Sequence, residues 1–211
     1  MTVPEPPAVG LPDGAVPPGG ADLLDGVAGW GPMATAAGEF LLRTVRLDTD
    51  LPLVTGWMND PAVDAFWQLA GPSTGTARHL RTQLGGDGRS VPCLGLLDGV
   101  PMSYWELYRA DLDPLALHYP ARPDDTGVHL LIGPADTRGR GLGALLLAAL
   151  ADRILERRPR CERVLAEPDL RNTASVRAFR RAGFHLAAEL DLPGKRAALM
   201  VRPRPRTRRS R

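Results

Sequence analysis

A glycine-rich segment in the second half of the chain has the residue types that bind a pyrophosphate. Arg138-Gly139-Arg140-Gly141-Leu142-Gly143 lies between a short apolar run, 128–132, and a stretch with leucines and alanines at helical spacing, 142–157. Glycines let the backbone approach a ligand closely, and the first amides of a helix are unpaired at the positive end of its dipole. Such a turn can hold a phosphate group. The alternating glycines do not fit the G-x-G-x-x-G spacing of dinucleotide-binding folds. The alternative to a phosphate-binding turn is a glycine-rich turn that connects strand and helix and binds no ligand.

Two titratable residues lie in or after the strands next to this segment. His129 is in the apolar run, and Asp169 follows a second short strand predicted at 163–167. An imidazole titrates near neutral pH and a carboxylate can orient an amine, so both residues are candidates for proton transfer. Each also has a structural explanation, because His129 has apolar neighbours and Asp169 stands just before Asn172, which can cap a helix.

The elements that must position these residues follow from the apolar periodicity. The pattern predicts strands at 40–47, 91–97, 100–108, 128–132, 163–167, 184–190 and 197–201. It predicts helices that end at Met58, at 62–67, at 77–84, at 142–157 and from Asn172 to Gly183. Asp98-Gly99 is a strong hairpin signal between two of the strands. The fold class is therefore α/β (α+β), with a mixed sheet and helices on its faces.

The second half of the chain resembles the GCN5-related N-acetyltransferase (GNAT) superfamily. The resemblance rests on the strand, the R-x-x-G-x-G loop, the helix after it, and a later helix that starts at Asn172 and ends in Gly183-Phe184. It implies a mostly antiparallel GNAT sheet and acetyl-CoA, or another acyl-CoA, as cosubstrate without a metal. It also implies that strand 128–132 splays from strand 163–167 to admit the pantetheine arm. The implied coenzyme contacts are Leu131, Ile132, Arg138, Gly139, Arg140, Gly141, Leu142, Gly143, Asn172 and Phe179.

Further motifs narrow the resemblance to the siderophore N-acyltransferases. They are Trp57-Met58-Asn59-Asp60-Pro61, Phe66-Trp67, Ser103-Tyr104-Trp105-Glu106-Leu107-Tyr108, 127–133, Glu167-Pro168-Asp169-Leu170-Arg171-Asn172 and 195–200. Enzymes of this kind acylate N6-hydroxylysine in aerobactin-type pathways, or lysine side chains in mycobactin assembly. The resemblance implies acylation of the side-chain N-hydroxyl amine of a hydroxylated lysine- or ornithine-type acceptor, in hydroxamate siderophore biosynthesis and iron acquisition.

The same resemblance implies that His129 and Asp169 face the acceptor. His129 is the candidate general base, and Asp169 is expected to orient the acceptor amine or share a proton relay. A hydroxylamine nitrogen is less basic than an alkyl amine, so His129 could instead position the N-hydroxyl group. Phe179 departs from the family pattern, because many members have a tyrosine there that protonates the leaving thiolate.

The candidate acceptor contacts are Trp57 and three residues of the strand at 100–108, namely Tyr104, Glu106 and Tyr108. An acidic rim would suit an amino-acid or polyamine end, although acidic loops are usually solvated. The tyrosines are at least as often core residues. The residue types alone leave these assignments open.

Two other functions fit part of the pattern. Aminoglycoside 6′-N-acetyltransferases share a Trp-x-x-x-Pro type of opening and a similar loop and helix. The acceptor that the protein uses must therefore discriminate between this function and siderophore acylation. A non-catalytic acyl-CoA-binding regulatory module could use the same fold, because a fold does not fix a function. Such a module would bind acetyl-CoA and turn over no amine.

Length and charge limit the remaining possibilities. The 211 residues allow one domain, expected at 39–201, between a flexible Pro/Gly-rich segment at 1–38 and a disordered Arg/Pro-rich tail at 202–211. The net charge of +2 depends on that tail, which holds six arginines and no acid. We expect a cytoplasmic monomer or homodimer that acts on a small-molecule amine or hydroxylamine. No nucleic-acid or membrane partner is expected, since no basic stripe, signal peptide or long apolar run occurs.

Overall fold

The computed structural model describes residues 24–205, apart from the side chain of Asp25. Within this range one sheet of eight strands is packed against five α-helices. The strands are β1 (Met33–Thr35), β2 (Gly38–Thr44), β3 (Ser90–Leu97), β4 (Val100–Arg109), β5 (Thr126–Ile132), β6 (Arg163–Ala166), β7 (His185–Leu192) and β8 (Lys195–Pro203). The helices are α1 (Leu47–Met58), α2 (Pro61–Trp67), α3 (Ser73–Leu84), α4 (Leu142–Arg157) and α5 (Thr173–Arg181). No helix in the described part has both the length and the apolar character needed to cross a membrane.

The sheet has the strand order β1-β2-β3-β4-β5-β6-β8-β7, and of its described pairs β5 with β6 is the parallel one. The predicted class, a mixed and mostly antiparallel sheet, is confirmed. β5 and β6 pair only through Thr126 with Val164 and Gly127 with Leu165, whereas β5 stays paired with β4 as far as Ile132. The predicted splay between these strands is thus also confirmed, and it opens the sheet beside the second half of β5.

Alternation along β4 sorts its side chains between two apolar layers. Tyr104 packs with residues of α1 and α3, such as Trp57, whereas Trp105 packs with residues of α4. Glu106 shares the face of Tyr104, and the strand register places it opposite His129 on β5. An acidic and a basic side chain therefore meet on one face of the sheet, next to the splay.

The ordered domain begins before Glu39, earlier than the sequence predicted. A 3-10 turn at Leu24–Gly29 and the edge strand β1 precede that residue. Four apolar side chains of this stretch are buried in the same core as α4: Leu24, Val27, Trp30 and Met33. Residues three apart lie on one side of a 3-10 turn, so sparse apolar residues at this spacing can still dock. The part of the predicted flexible segment at 1–23 lies outside the described residues.

The chain also stays ordered beyond Val201, where the sequence predicted a tail. Arg202 donates to the carbonyl oxygen of Ala148 at 2.9 Å, and Arg204 donates to the carbonyl oxygens of Arg158 and Cys161 at 2.7 and 2.9 Å. These two arginines therefore fasten the end of β8 to the domain. Residues 206–211 of the predicted tail lie outside the described residues.

Candidate active site

The predicted pyrophosphate loop forms the turn between β5 and α4. Gly139 and Gly141 have φ angles of +74° and +84°, and no described atom lies within 4 Å of the Cβ position that either lacks. α4 starts at Leu142, and no side chain caps its first amides. Open space over two left-handed glycines, next to uncapped helix amides, fits the diphosphate of coenzyme A.

A groove of about 560 Å³ runs from this loop between β5, α5 and α2, and we name it the donor groove. Eight of the predicted coenzyme contacts line it: Leu131, Ile132, Arg138, Gly139, Gly141, Leu142, Gly143 and Asn172. Arg140 is exposed and lines neither this groove nor the neighbouring cavity. The side chain of Asn172 accepts a hydrogen bond from the amide of Ser175 at 3.0 Å and so caps α5 at the edge of the groove.

The side chain of Arg138 has a structural role that the sequence did not indicate. Its guanidinium donates to the carbonyl oxygens of Ile132 at 2.8 Å and Gly133 at 2.5 Å. It also forms an ion pair of 3.0 Å with Asp60, the residue that caps α2. Arg138 therefore ties the glycine loop to β5 and α2, and its side chain is engaged by these contacts.

A second cavity, of about 320 Å³, adjoins the donor groove, and we name it the acceptor pocket. Five residues line both cavities: Phe66, Trp67, Leu130, Asn172 and Ser175. A thioester in one cavity can therefore face a nucleophile in the other across this shared wall. The charged and titratable residues of the acceptor pocket are His79, Glu106, His129, Glu167, Asp169 and Lys195.

His129 lies between two carboxylates. Its Nδ1 is 3.1 Å from Glu106 Oε2, and its Nε2 is 2.5 Å from Glu167 Oε1. An ionised carboxylate only accepts hydrogen bonds, so the ring must donate from both nitrogens and is an imidazolium. In this arrangement His129 has no lone pair that could take a proton from a substrate.

The charges of the cluster reinforce one another. Burial alone would lower the pKa of His129, but the charges and hydrogen bonds of Glu167 and Glu106 outweigh it and raise the pKa to about 10. Burial alone would raise the pKa of Glu167, yet the His129 imidazolium lowers it to about 2. The pKa of Glu106 is likewise held below its usual range, because His129 and His79 outweigh the effect of burial. This raised pKa of His129 departs from the expectation that the ring titrates near neutral pH.

Further donors hold the two carboxylates in place. Tyr104, His79 and Gln83 contact Glu106 Oε1 at 2.8, 2.5 and 2.7 Å. The hydroxyl of Tyr108 donates to Glu167 Oε2. Both glutamates are at least nine-tenths buried, so these bonds replace the water that the carboxylates lose. Within residues 24–205, no group of three or more His, Cys, Asp or Glu side chains could hold a metal ion.

Asp169 lines the acceptor pocket but its carboxylate is engaged elsewhere. Both oxygens accept from the guanidinium of Arg171, at 2.7 and 3.1 Å, and Oδ1 also accepts from the Arg171 amide. The pKa of Asp169 is lowered, chiefly by these bonds. The side chain of Arg171 is 73% exposed, and an ion pair with such a partner is readily exchanged for a substrate group.

The predicted acceptor contacts separate into lining and supporting residues. Glu106 lines the pocket, whereas Tyr104 and Tyr108 are buried behind it and act on the carboxylates. Trp57 is a core residue that covers Gly133, where an added Cβ would lie 2.1 Å from the indole. Phe179 is buried beside Phe184 and lines the acceptor pocket instead of the donor groove.

Four lining residues received no role from the sequence: Trp67, His79, Glu167 and Lys195. Glu167 and Lys195 belong to motifs that carried the resemblance. Glu167 follows β6, the strand next to the one that carries His129, whereas Lys195 opens β8, which pairs with β6. His79 gave no signal, because α3 brings it to Glu106 only in the fold. Trp67 was ambiguous between core and pocket, and the structure places it edge-on to the rings of Tyr104 and His129.

Comparison with known proteins identifies the family. Residues 46–192 match the family described as acetyltransferase (GNAT) domain. The chain belongs to the GNAT family. This acyltransferase is 38% identical over 170 residues to the lysine N-acyltransferase MbtK of Mycolicibacterium paratuberculosis, and the match covers 81% of the chain and 76% of that relative. It is 34% identical over 163 residues to the N-hydroxyputrescine acetyltransferase of Acinetobacter baumannii, with 76% of each protein covered.

Solved structures show the same fold. A crystal structure of an uncharacterized protein from Bacillus halodurans matches with a TM-score of 0.75 and 34% identity, over 82% of this GNAT chain and 89% of that chain. The aminoglycoside acetyltransferase AAC(6′)-Ib in complex with coenzyme A matches with a TM-score of 0.67 and 22% identity, over 78% and 95% of the two chains. At this lower identity the likeness concerns the fold alone.

Proposed function

We propose that this GNAT enzyme transfers an acyl group, by default acetyl, from acyl-CoA to the side-chain nitrogen of an N-hydroxylated lysine- or ornithine-type acceptor. The observation that carries the proposal is the double ion pair of His129 with Glu106 and Glu167 in the acceptor pocket. Because this histidine has no lone pair to accept a proton, the pocket suits a nucleophile that arrives neutral. An N-hydroxyl amine meets this condition at neutral pH, whereas a lysine side chain, with an ordinary pKa of about 10.4, is charged.

The donor groove has the features that acyl-CoA requires. Acyl-CoA supplies the acyl group as an activated thioester. The amides at the start of α4 and the open glycines of the loop would hold the diphosphate. The side chains of Phe66 and Trp67 give the shared wall of the two cavities an apolar surface.

The acceptor pocket favours charge development on the attacking nitrogen. The imidazolium of His129 keeps Glu106 and Glu167 ionised, and both carboxylates line the pocket. A nitrogen that attacks an acyl carbon gains positive charge, which fixed carboxylates stabilise. In this account His129 keeps the two carboxylates charged and does not remove a proton from the acceptor. The proton that the nitrogen loses after its attack passes through solvent to the departing thiolate, which leaves as coenzyme A thiol.

The names of the relatives support an acceptor of this class. The N-hydroxyputrescine acetyltransferase is named for an N-hydroxyl amine, and the lysine N-acyltransferase MbtK for an amino acid of the proposed length. The second name also supports a second candidate acceptor, namely lysine itself. Lysine would have to lose its proton to water before it reacts, since His129 cannot take it.

Release of coenzyme A thiol by the purified protein tests the proposal. The assay uses acetyl-CoA with N6-hydroxylysine, N5-hydroxyornithine, lysine or kanamycin. We expect release with a hydroxylated amino acid and none with kanamycin. Release with kanamycin alone would assign the protein to aminoglycoside acetylation. The protein could also bind acetyl-CoA tightly and release no coenzyme A thiol with any of the four acceptors, even with malonyl-CoA or longer acyl donors. That result would favour a non-catalytic regulatory module.

A further inference from the structure

Lys195 lies at the wall of the acceptor pocket, and its ammonium has hydrogen-bond donors that no described residue uses. We propose that its ammonium binds the α-carboxylate of the acceptor and so selects amino acids over diamines that lack a carboxylate. The inference rests on the proposed function, because it takes an N-hydroxyl amine as the occupant of the pocket.

The hydrogen bonds of Lys195 leave most of its capacity unused. Its Nζ donates to the carbonyl oxygen of Glu167 at 2.7 Å and lies 3.6 Å from Glu167 Oε1, which is too long for a hydrogen bond. An ammonium has three donors, so two are uncommitted among the residues that the structure describes. The side chain is 33% exposed and lines the acceptor pocket.

The other basic side chains of the pocket are already matched. His129 binds Glu106 and Glu167, and His79 binds Glu106. Among the described residues that line the acceptor pocket, Lys195 is therefore the cation that can bind an incoming anion without breaking a side-chain hydrogen bond. A carboxylate is the anion that an amino acid brings, and it forms strong charge-assisted hydrogen bonds with an ammonium.

The position of Lys195 also suits the far end of a long amino acid. It opens β8 after the Pro193-Gly194 turn, and these three residues line the acceptor pocket but not the donor groove. The side-chain nitrogen of the acceptor must instead lie at the wall that the two cavities share. In this proposal an acceptor with both groups spans from that wall to Lys195, whereas a hydroxylated diamine leaves the two remaining donors of Lys195 to solvent.

Two acceptors that differ only in the carboxylate test the inference: N6-hydroxylysine and N-hydroxycadaverine. Wild-type kcat/KM should favour N6-hydroxylysine by about 10- to 100-fold, which is the range that one hydrogen bond between charged groups supplies. Lys195→Met should remove this preference by lowering kcat/KM for N6-hydroxylysine alone. Lys195→Arg should restore part of it, because a guanidinium also binds carboxylates. Calorimetric binding of N6-hydroxylysine should weaken in parallel in Lys195→Met.

Arg196→Met is the matched control, because it removes the neighbouring positive charge outside the pocket. Arg196 is 68% exposed and pairs with Glu189 and Asp191. This variant should keep the wild-type preference. An equal loss of kcat/KM for both acceptors in Lys195→Met would show that Lys195 only supports Glu167, and would overturn the inference. Equal kcat/KM of the wild type for the two acceptors would also overturn it. Failure of the wild type to acylate either one would instead reject the proposed function, and the inference with it.

Discussion

At the scale of single residues, the protonation state of His129 separates two mechanisms. A neutral imidazole could remove a proton from the acceptor, whereas the imidazolium between Glu106 and Glu167 cannot. The sequence indicated His129 through its residue type and its place on a central strand. It did not indicate the charge, because Glu106 and Glu167 come from β4 and from the end of β6 and meet His129 only in the folded chain.

The charge on His129 predicts its behaviour in a titration followed by nuclear magnetic resonance. Its pKa is raised from the usual value of about 6.5 to about 10, so the ion pair is complete below the usual value and is lost only as the pH rises through about 10. We expect both ring nitrogens of His129 to remain protonated from pH 6 to pH 8. A midpoint near 6.5 for this residue, assigned by its absence in His129→Gln, would contradict the ion pair.

Glu167→Gln tests the second carboxylate of the cluster. The amide keeps the shape but removes the charge that holds the imidazolium, so kcat/KM should fall by about 10- to 100-fold. The dissociation constant of acetyl-CoA should not change, because Glu167 lines only the acceptor pocket. Glu162→Gln, at a side chain that is 67% exposed, is the control and should leave both quantities unchanged. Equal losses in turnover and in acetyl-CoA binding would argue for a general structural role of Glu167.

At the scale of elements, the splay of β5 from β6 and the turn into α4 create the two cavities. The strands part after two paired positions, and the loop that follows β5 places left-handed glycines beside the open amides of α4. Arg138 fastens this loop to α2 through Asp60. The proposed binding site for the donor therefore depends on backbone geometry more than on charged side chains.

Gly141→Asp tests the loop. The substitution puts an anion next to the expected diphosphate and forces a side chain into a left-handed backbone, so acetyl-CoA affinity should fall by at least about tenfold. Gly99→Asp is the matched control, since Gly99 has a φ of +80° and the same open space, but lies in the β3–β4 turn. Both variants should lose thermal stability, and only Gly141→Asp should weaken binding in calorimetry. Similar acetyl-CoA affinity in both variants would reject the loop assignment.

Local patterns were sufficient for strands β2 to β8, the glycine loop and the Asn172 cap, because period-two alternation and turn residues act over short range. They missed β1, a strand of three residues within a Pro/Gly-rich segment. They were insufficient for Trp57 and Tyr104, which have the same aromatic character as pocket residues but pack into the core. His79 and Lys195 join the pocket through pairings between distant segments, and no local pattern encodes such a pairing. Their contribution could only be recognised once the sheet register was known.

At the scale of the whole molecule, the N-terminal stretch belongs to the core of the domain. The turn at Leu24–Gly29 and strand β1 cover α4, and Arg153 and Arg157 of that helix donate to the carbonyl oxygen of Trp30. α4 in turn begins at the donor loop. We therefore expect the stability of the proposed coenzyme site to depend on residues that composition alone predicted to be flexible.

Leu24→Ala tests this coupling. Leu24 is 1% exposed, and loss of a buried leucine costs about 2–5 kcal/mol of unfolding free energy. Leu117→Ala is the matched control, because Leu117 is 86% exposed and the same change there should alter stability by less than about 0.5 kcal/mol. Urea unfolding of the two variants measures both values. Equal stability of the variants would contradict the docking of this stretch.

The most direct test of the whole account is the pH dependence of kcat/KM for N6-hydroxylysine and lysine, measured side by side from pH 6 to pH 9. If no protein group takes a proton from the acceptor, the value for lysine should rise about tenfold for each pH unit as the neutral amine becomes available. The value for N6-hydroxylysine should stay higher and nearly level above neutral pH. A lysine profile that instead levels off above an apparent pKa near 6.5, with that inflexion absent in His129→Gln, would show that His129 is the general base and would contradict the proposed function of its ion pair.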